Sequence, residues 1–339
     1  MLQSKSETTG RPARDWVKIL AKYREPDLFR SVLELSITIV AYVGLWVAVW
    51  MAMSVSYWLS LAISVPAAAF LVRLFLVQHD CGHDAFFKNR RVNKWVGRVM
   101  GVLTLTPYAV WQKAHAIHHA STGNLDKRGI GDIDTLTVEE YKALSTFKRI
   151  AYRIYRHPLI LFVIGPAYMF LLDNRIPTKL LRKEGRYWMS AMGTNLAVLI
   201  LAGVVIYFVG LVPFLMVQLP ITIFAASLGV WMFYVQHQFE ETVWEESGDW
   251  NVHEAALNGS SYYDLPKWLA WMTGNIGIHH VHHLYSKIAF YRLPQVLRDY
   301  PELVDVHRIT IPESFSTIKL RLWDEKQKKL VPFAAVQGL

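Results

Sequence analysis

Two stretches of the chain carry no formal charge. Leu35–Val72 runs for 38 residues without Asp, Glu, Lys or Arg, and Tyr187–Phe239 runs for 53. One crossing of a bilayer core takes about 20 apolar residues. Each stretch therefore has room for two spans joined by a short turn. Soluble helices seldom exceed ~20 residues, so a pair of buried core helices fits these runs poorly. The pattern predicts four transmembrane helices in two hairpins, at about residues 33–54, 57–78, 190–210 and 216–237. The turns fall near Met53–Trp58 and within "GLVPFLMVQLP", both uncharged.

Charge is concentrated outside these runs. Residues 1–30 carry Lys5, Arg11, Arg14, Lys18, Lys22, Arg24 and Arg30; Lys88, Arg90, Arg91, Lys94 and Arg98 follow the first hairpin. Positive residues flank the cytoplasmic ends of spans. Both termini and the central linker are therefore expected in the cytoplasm, with both turns on the far side. Arg73, late in the second span, is expected to snorkel toward the head groups. Two further apolar segments, about 93–111 and 158–172, are predicted as interfacial helices. The second, Pro158–Leu172, has 15 residues. As a helix it reaches ~22 Å, short of a ~30 Å core. The organisation expected is a basic segment 1–30, a main domain 31–300 and a polar tail 301–339.

Composition narrows the chemistry. The chain has 339 residues, 53% of them hydrophobic, a net charge of +9 and one cysteine, Cys81. The charge sits at span ends, which points to a membrane rather than to nucleic acid. A lone cysteine excludes an internal disulfide, a Cys-ligated cluster and a CxxCH haem site. The polar start "MLQSKSETTGRPARDW" has no apolar core before a cleavage site, so no signal peptide is expected.

The 13 histidines are not scattered. "HDCGH" holds His79 and His83, "HAIHH" holds His115, His118 and His119, and "HHVHH" holds His279, His280, His282 and His283. On a helix, positions i, i+3 and i+4 share a face. Each group thus aims two or three imidazoles one way, while His280 is turned aside and left out of the ligand set. Lone histidines such as His157, His253 and His307 read as hydrogen-bonded core or interface residues. Neutral imidazole suits Zn, Cu, Fe and Ni. Eight imidazoles exceed one ion's capacity, so two ions are expected. His237 ends the fourth span much as His79 ends the second, and it is a ninth candidate. If 158–172 does not cross, all three groups fall on one side and can converge.

These spacings, in this order between two hydrophobic hairpins, resemble the membrane fatty acid desaturase family. The wider strings "QHDCGHDAFF", "WQKAHAIHHASTGN", "GDIDTLT", "FYVQHQFEETVWE", "GSSYYDLP" and "GNIGIHHVHHL" are similar to those of acyl-lipid desaturases, above all the omega-6 (delta-12) type. The resemblance covers about residues 30–300. It implies an all-α integral membrane protein with a cytoplasmic helical cap holding a histidine-ligated di-iron site. It assigns His79, His83, His115, His118, His119, His279, His282 and His283 as catalytic iron ligands, with His237 as the additional one. The chain departs from the family in two places. There is no HPGG motif of a fused cytochrome b5 domain, and "YSKIAFYRLP" stands where "SPRIPNY"-type strings often follow the third box.

The implied reaction is O₂-dependent insertion of a cis double bond into a lipid acyl chain. The metal carries the hard chemistry and the protein supplies geometry and a dry site. A hydroxylase, ketolase or decarboxylase could use the same ligands. A metal transporter or haem-binding protein is the non-enzymatic rival, but its ligands would lie near mid-membrane. HExxH is absent; the one HE, His253–Glu254, continues "AAL". Asp80, Asp84, Asp132, Asp134, Glu240, Glu241 and Asp264 are candidates to support the ligands. With no nucleotide motif, electrons are expected from a ferredoxin or cytochrome b5-type carrier, steered by the basic face. A bacterial inner membrane is the expected location.

Overall fold

A computed structural model describes residues 10–336. Lys5, with the rest of residues 1–9, and residues 337–339 lie outside them. The described chain is mostly helical, and four helices are long and apolar enough to cross a membrane: Leu28–Ala52, Tyr57–Gly82, Gly185–Val209 and Leu211–His237. Asp27 caps the first by accepting from Arg30 N at 2.7 Å. The second hairpin reverses almost on one residue rather than over the longer turn expected. Gly210 sits at φ 88°, where a side chain would be strained. Pro213 then falls in the first helical turn, whose N–H groups have no partner to lose.

The spans are unequally buried. In the second, 61% of the apolar window lies inside the protein; in the third, only 6% does. The second packs on the first and the fourth and forms the spine of the molecule. Arg73, on this spine, does not snorkel. Its side chain is fully buried and ion-paired with Glu34, which also holds Arg30 at 2.7 Å. The guanidinium also donates to the Trp271 carbonyl and to Thr38 Oγ1. A buried countercharge removes the reason to reach the head groups.

The segment 93–111 is two helices, Arg90–Leu103 and Tyr108–Ser121. Pro107 has no N–H for an intrahelical bond and disfavours helical backbone at the residue before it, and it stands here as the N-cap of the second helix. Leu105 turns through φ 56° to allow the break. The second piece carries the "HAIHH" histidines. Beyond it, Thr146–Tyr155 and Ile160–Arg175 meet at a 59° bend and together have the composition of a broken span or re-entrant loop.

The remaining residues form the cap. Five short strands accompany its helices: β1 (Leu136–Thr137), β2 (Tyr262–Asp264), β3 (Arg308–Thr310), β4 (Leu322–Asp324) and β5 (Lys329–Val331). β2 pairs in parallel with β3, and β4 lies between β1 and β5. The stretch after residue 300 is thus woven into the cap.

Candidate metal centre

Each histidine-bearing segment reaches the cap by a different route. His79 lies in the last turn of Tyr57–Gly82, with His83 just past its end; His237 closes Leu211–His237. Tyr108–Ser121 delivers three histidines, and the short helix His279–Leu284 delivers the rest. Their nitrogens form two clusters. His79, His83, His115, His119 and His282 form one, and His118, His237, His279 and His283 form the other. Within each cluster the ligand atoms lie within 4.8 Å of one another. The stacked rings of His119 and His283, 4.1 Å apart, join the two clusters.

The boxes split between clusters. His115 and His119, four apart, share the first, while His118 goes to the second. His279 and His283, also four apart, share the second, while His282 goes to the first. Positions i+3 and i+4 straddle the helix line through i, about 100° from each other. An adjacent His–His pair can therefore serve two centres.

Hydrogen bonds alone cannot account for the nitrogen spacing. A neutral imidazole nitrogen has one in-plane site, either a proton or a lone pair. His115 Nε2 lies 3.0 Å from His83 Nε2 and 3.1 Å from His119 Nε2; His119 Nε2 also lies 3.1 Å from His282 Nε2. A chain of hydrogen bonds would use two of these sites twice. In the second cluster, His279 Nε2 faces both His237 Nε2 at 2.9 Å and His283 Nε2 at 3.1 Å. His118 Nε2 is buried with no partner. A cation uses each lone pair once. Ligands at right angles, ~2.1 Å from an ion, stand ~3.0 Å apart. The residues present fit two metal ions.

The outer nitrogens are fixed too. His79 Nδ1 donates to Asp80 Oδ1 at 3.0 Å, His118 Nδ1 to Asp132 Oδ1 at 2.5 Å, and His237 Nδ1 to the Gly259 carbonyl at 3.2 Å. Each contact sets the tautomer and leaves Nε2 bare toward its cluster. Asp80 also accepts from Phe290 N at 2.6 Å, tying the first box to the chain after the third. The other five acids expected near the ligands are engaged elsewhere or stand apart. Asp84 pairs with Arg90, Glu240 with Lys329 and Asp264 with Arg308, while Glu241 lies 3.6 Å from His307. Asp134 contacts no histidine among the described residues. The Gly259 carbonyl has no side-chain signature, so sequence reasoning had no means of finding it.

Burial sets the protonation state. It holds His83, His115, His119, His279, His282 and His283 well below the usual 6.5, and neighbouring imidazoles push the same way. They are neutral at pH 7, the form that binds a metal. His280 joins neither cluster; its Nε2 donates to the Leu303 carbonyl at 2.9 Å.

This constellation has relatives. The family model for fatty acid desaturases matches residues 56–315. The chain belongs to the fatty acid desaturase family. A fatty acid desaturase of Bacillus subtilis is 44% identical over 333 residues, covering 98% of this chain and 94% of its own. An sn-1 acyl-lipid omega-3 desaturase (ferredoxin) of Synechocystis is 29% identical, covering 65% of this chain and 61% of its own. An sn-1 oleoyl-lipid 12-desaturase of the same organism is 27% identical, over 66% and 63%. This desaturase is accordingly an oxidoreductase with a lipid-related substrate.

Proposed function

We propose that this desaturase inserts a cis double bond into the acyl chain of a membrane lipid at a pair of iron ions. The nitrogen spacing of the two clusters carries the reading. His79, His83, His115, His119 and His282 hold one ion, and His118, His237, His279 and His283 hold the other. The irons, when bound, supply the reduction of O₂ that makes hydrogen removal from an unactivated CH₂ feasible. In the balance, one CH₂–CH₂ unit, O₂, two electrons and two protons give one CH=CH and two waters.

The chain's own residues prepare the site. Asp80, Asp132 and the Gly259 carbonyl lock three ring orientations. Burial of the second cluster excludes water that would quench the oxidant. No redox group of the chain supplies the electrons, so an external ferredoxin or cytochrome b5-type carrier docks on the cap; the ferredoxin in a relative's name supports this. Basic residues flanking the spans favour the cytoplasmic side for cap and termini, in a bacterial inner membrane. The decisive experiment is expression in a host with simple lipids, followed by mass spectrometry of total fatty acids. Unsaturated chains are expected. Hydroxylated, oxidised or shortened chains would move the protein to another reaction of this scaffold.

A further inference from the structure

The helix Thr146–Tyr155 has three large exposed apolar side chains, Phe147, Ile150 and Ile154. With 3.6 residues per turn they fall within ~60° of arc. The helix continues through its bend into the apolar stretch Ile160–Arg175. This stripe is an apolar face suited to the acyl boundary of a bilayer. On the same helix Lys148, Ala151, Tyr152 and Tyr155 line a cavity of about 530 Å³. Their face stands roughly a third of a turn from the apolar stripe. Laid on a bilayer by that stripe, the helix would hold the cavity mouth near the lipid head groups.

The opposing wall is the loop containing Arg128 and Asp134. Arg128 is already engaged by Glu140 and by the Thr135 carbonyl. Lys148 and Asp134 form no close ion pair among the described residues, although Arg128 and Arg156 act on Asp134 from a longer distance, so an ammonium and a carboxylate not paired to each other line one cavity. The same loop, two residues earlier, presents Asp132 to His118. We infer that this cavity binds the head group of an amine-bearing phospholipid, with its phosphate toward Lys148 and its ammonium toward Asp134. A purely anionic head group would meet the Asp134 carboxylate and be disfavoured. The inference builds on the proposed function: the head group belongs to the lipid whose acyl chain is desaturated.

The test uses the full-length protein in vesicles with equal phosphatidylethanolamine and phosphatidylglycerol of identical saturated chains. A reducing system is supplied, and double bonds are counted per lipid class. The wild type is expected to favour the ethanolamine lipid about fivefold, the scale of one exposed charge pair. Asp134→Asn combined with Lys148→Glu is expected to bring the ratio to about one. A partly unfolded sample lowers both products equally, so the ratio is insensitive to folding. A wild-type ratio near one, or a ratio unmoved by the variant, overturns the head-group site. Absence of double bonds in both classes overturns the proposed function instead. Native mass spectrometry of retained lipid then judges the cavity alone. Preferential retention of ethanolamine lipid by the wild type, lost in the variant, supports it; equal retention sinks it. Free phosphoethanolamine at about 1 mM is expected to leave that lipid bound. Its displacement would reassign the cavity to a soluble phosphoamine.

Discussion

The two nitrogen clusters are built from the same three histidine boxes and are not equivalent. The first has five imidazoles, with His83, His115 and His119 half-buried; the second has four, all buried. Each has one carboxylate behind it, Asp80 or Asp132, but the second also leans on a backbone carbonyl. The first is thus the more accessible site and the second the drier one. Identical ligand chemistry yields two environments because burial, not ligand type, differs. Asymmetry of this kind leaves the first cluster as the side open to small molecules.

The largest expected effect comes from removing one ligand on each side. His282→Ala and His118→Ala are each expected to lower double-bond formation at least ~100-fold and to reduce bound iron. Metal analysis of protein purified without chelators checks this, with about two irons per chain expected for the wild type. Stoichiometric zinc in active protein would refute the iron assignment. If only one variant loses metal, the two clusters do not both hold an ion.

The carboxylates come next. Asp80→Asn and Asp132→Asn keep an acceptor for the ring N–H but remove the carboxyl group. A drop of ~10–100-fold in metal affinity or activity is expected for each. Metal titration of both variants tells whether the drier site depends more on its acid.

Acid should expose the same burial without any metal. Histidines that bind protons poorly when folded bind them readily when unfolded, near pH 6.5. Below that pH the unfolded state takes up more protons, so stability falls as pH falls and is full above it. Thermal unfolding of metal-free protein between pH 7.5 and 5 is the measurement, the pH range bracketing the ordinary histidine value. A flat profile would mean that the imidazoles are wetter than the structure implies.

The smallest effect is expected at His280. Its N–H holds the Leu303 carbonyl rather than a cluster. His280→Gln keeps a donor, so full iron and activity within about threefold are expected, the cost of a weakened hydrogen bond. Parallel iron and product assays of His280→Gln and His282→Ala settle whether neighbours in one box have separate roles.

Much of this was legible in the chain because it is local. Charge-free runs mark the spans, and i, i+3, i+4 spacing marks the boxes. His237 was found by its register at a span end. The break before Tyr108 was masked by the apolar run around it, and proline alone does not mark it, since Pro66 and Pro220 lie inside continuous helices of the same chain. What stayed hidden is long-range. Nothing near Arg73 in sequence announces Glu34 as its partner 39 residues away. Asp80 meets Phe290 N across 210 residues. The division of each box between clusters depends on where a neighbouring segment stands, which periodicity does not encode.

The strands that finish the cap have a consequence for how the protein is made. β3 and β4 add to β2 and β1, strands laid down about 46 and 186 residues earlier, and Tyr234 donates to carbonyls at Thr317 and Leu320. Translation delivers residues at ~5–20 per second, from the N-terminus. All nine imidazoles emerge from the ribosome before these closing contacts do. An ion arriving during synthesis meets an unfinished cage. The strands that close the cap are thus among the last parts of it to be synthesised.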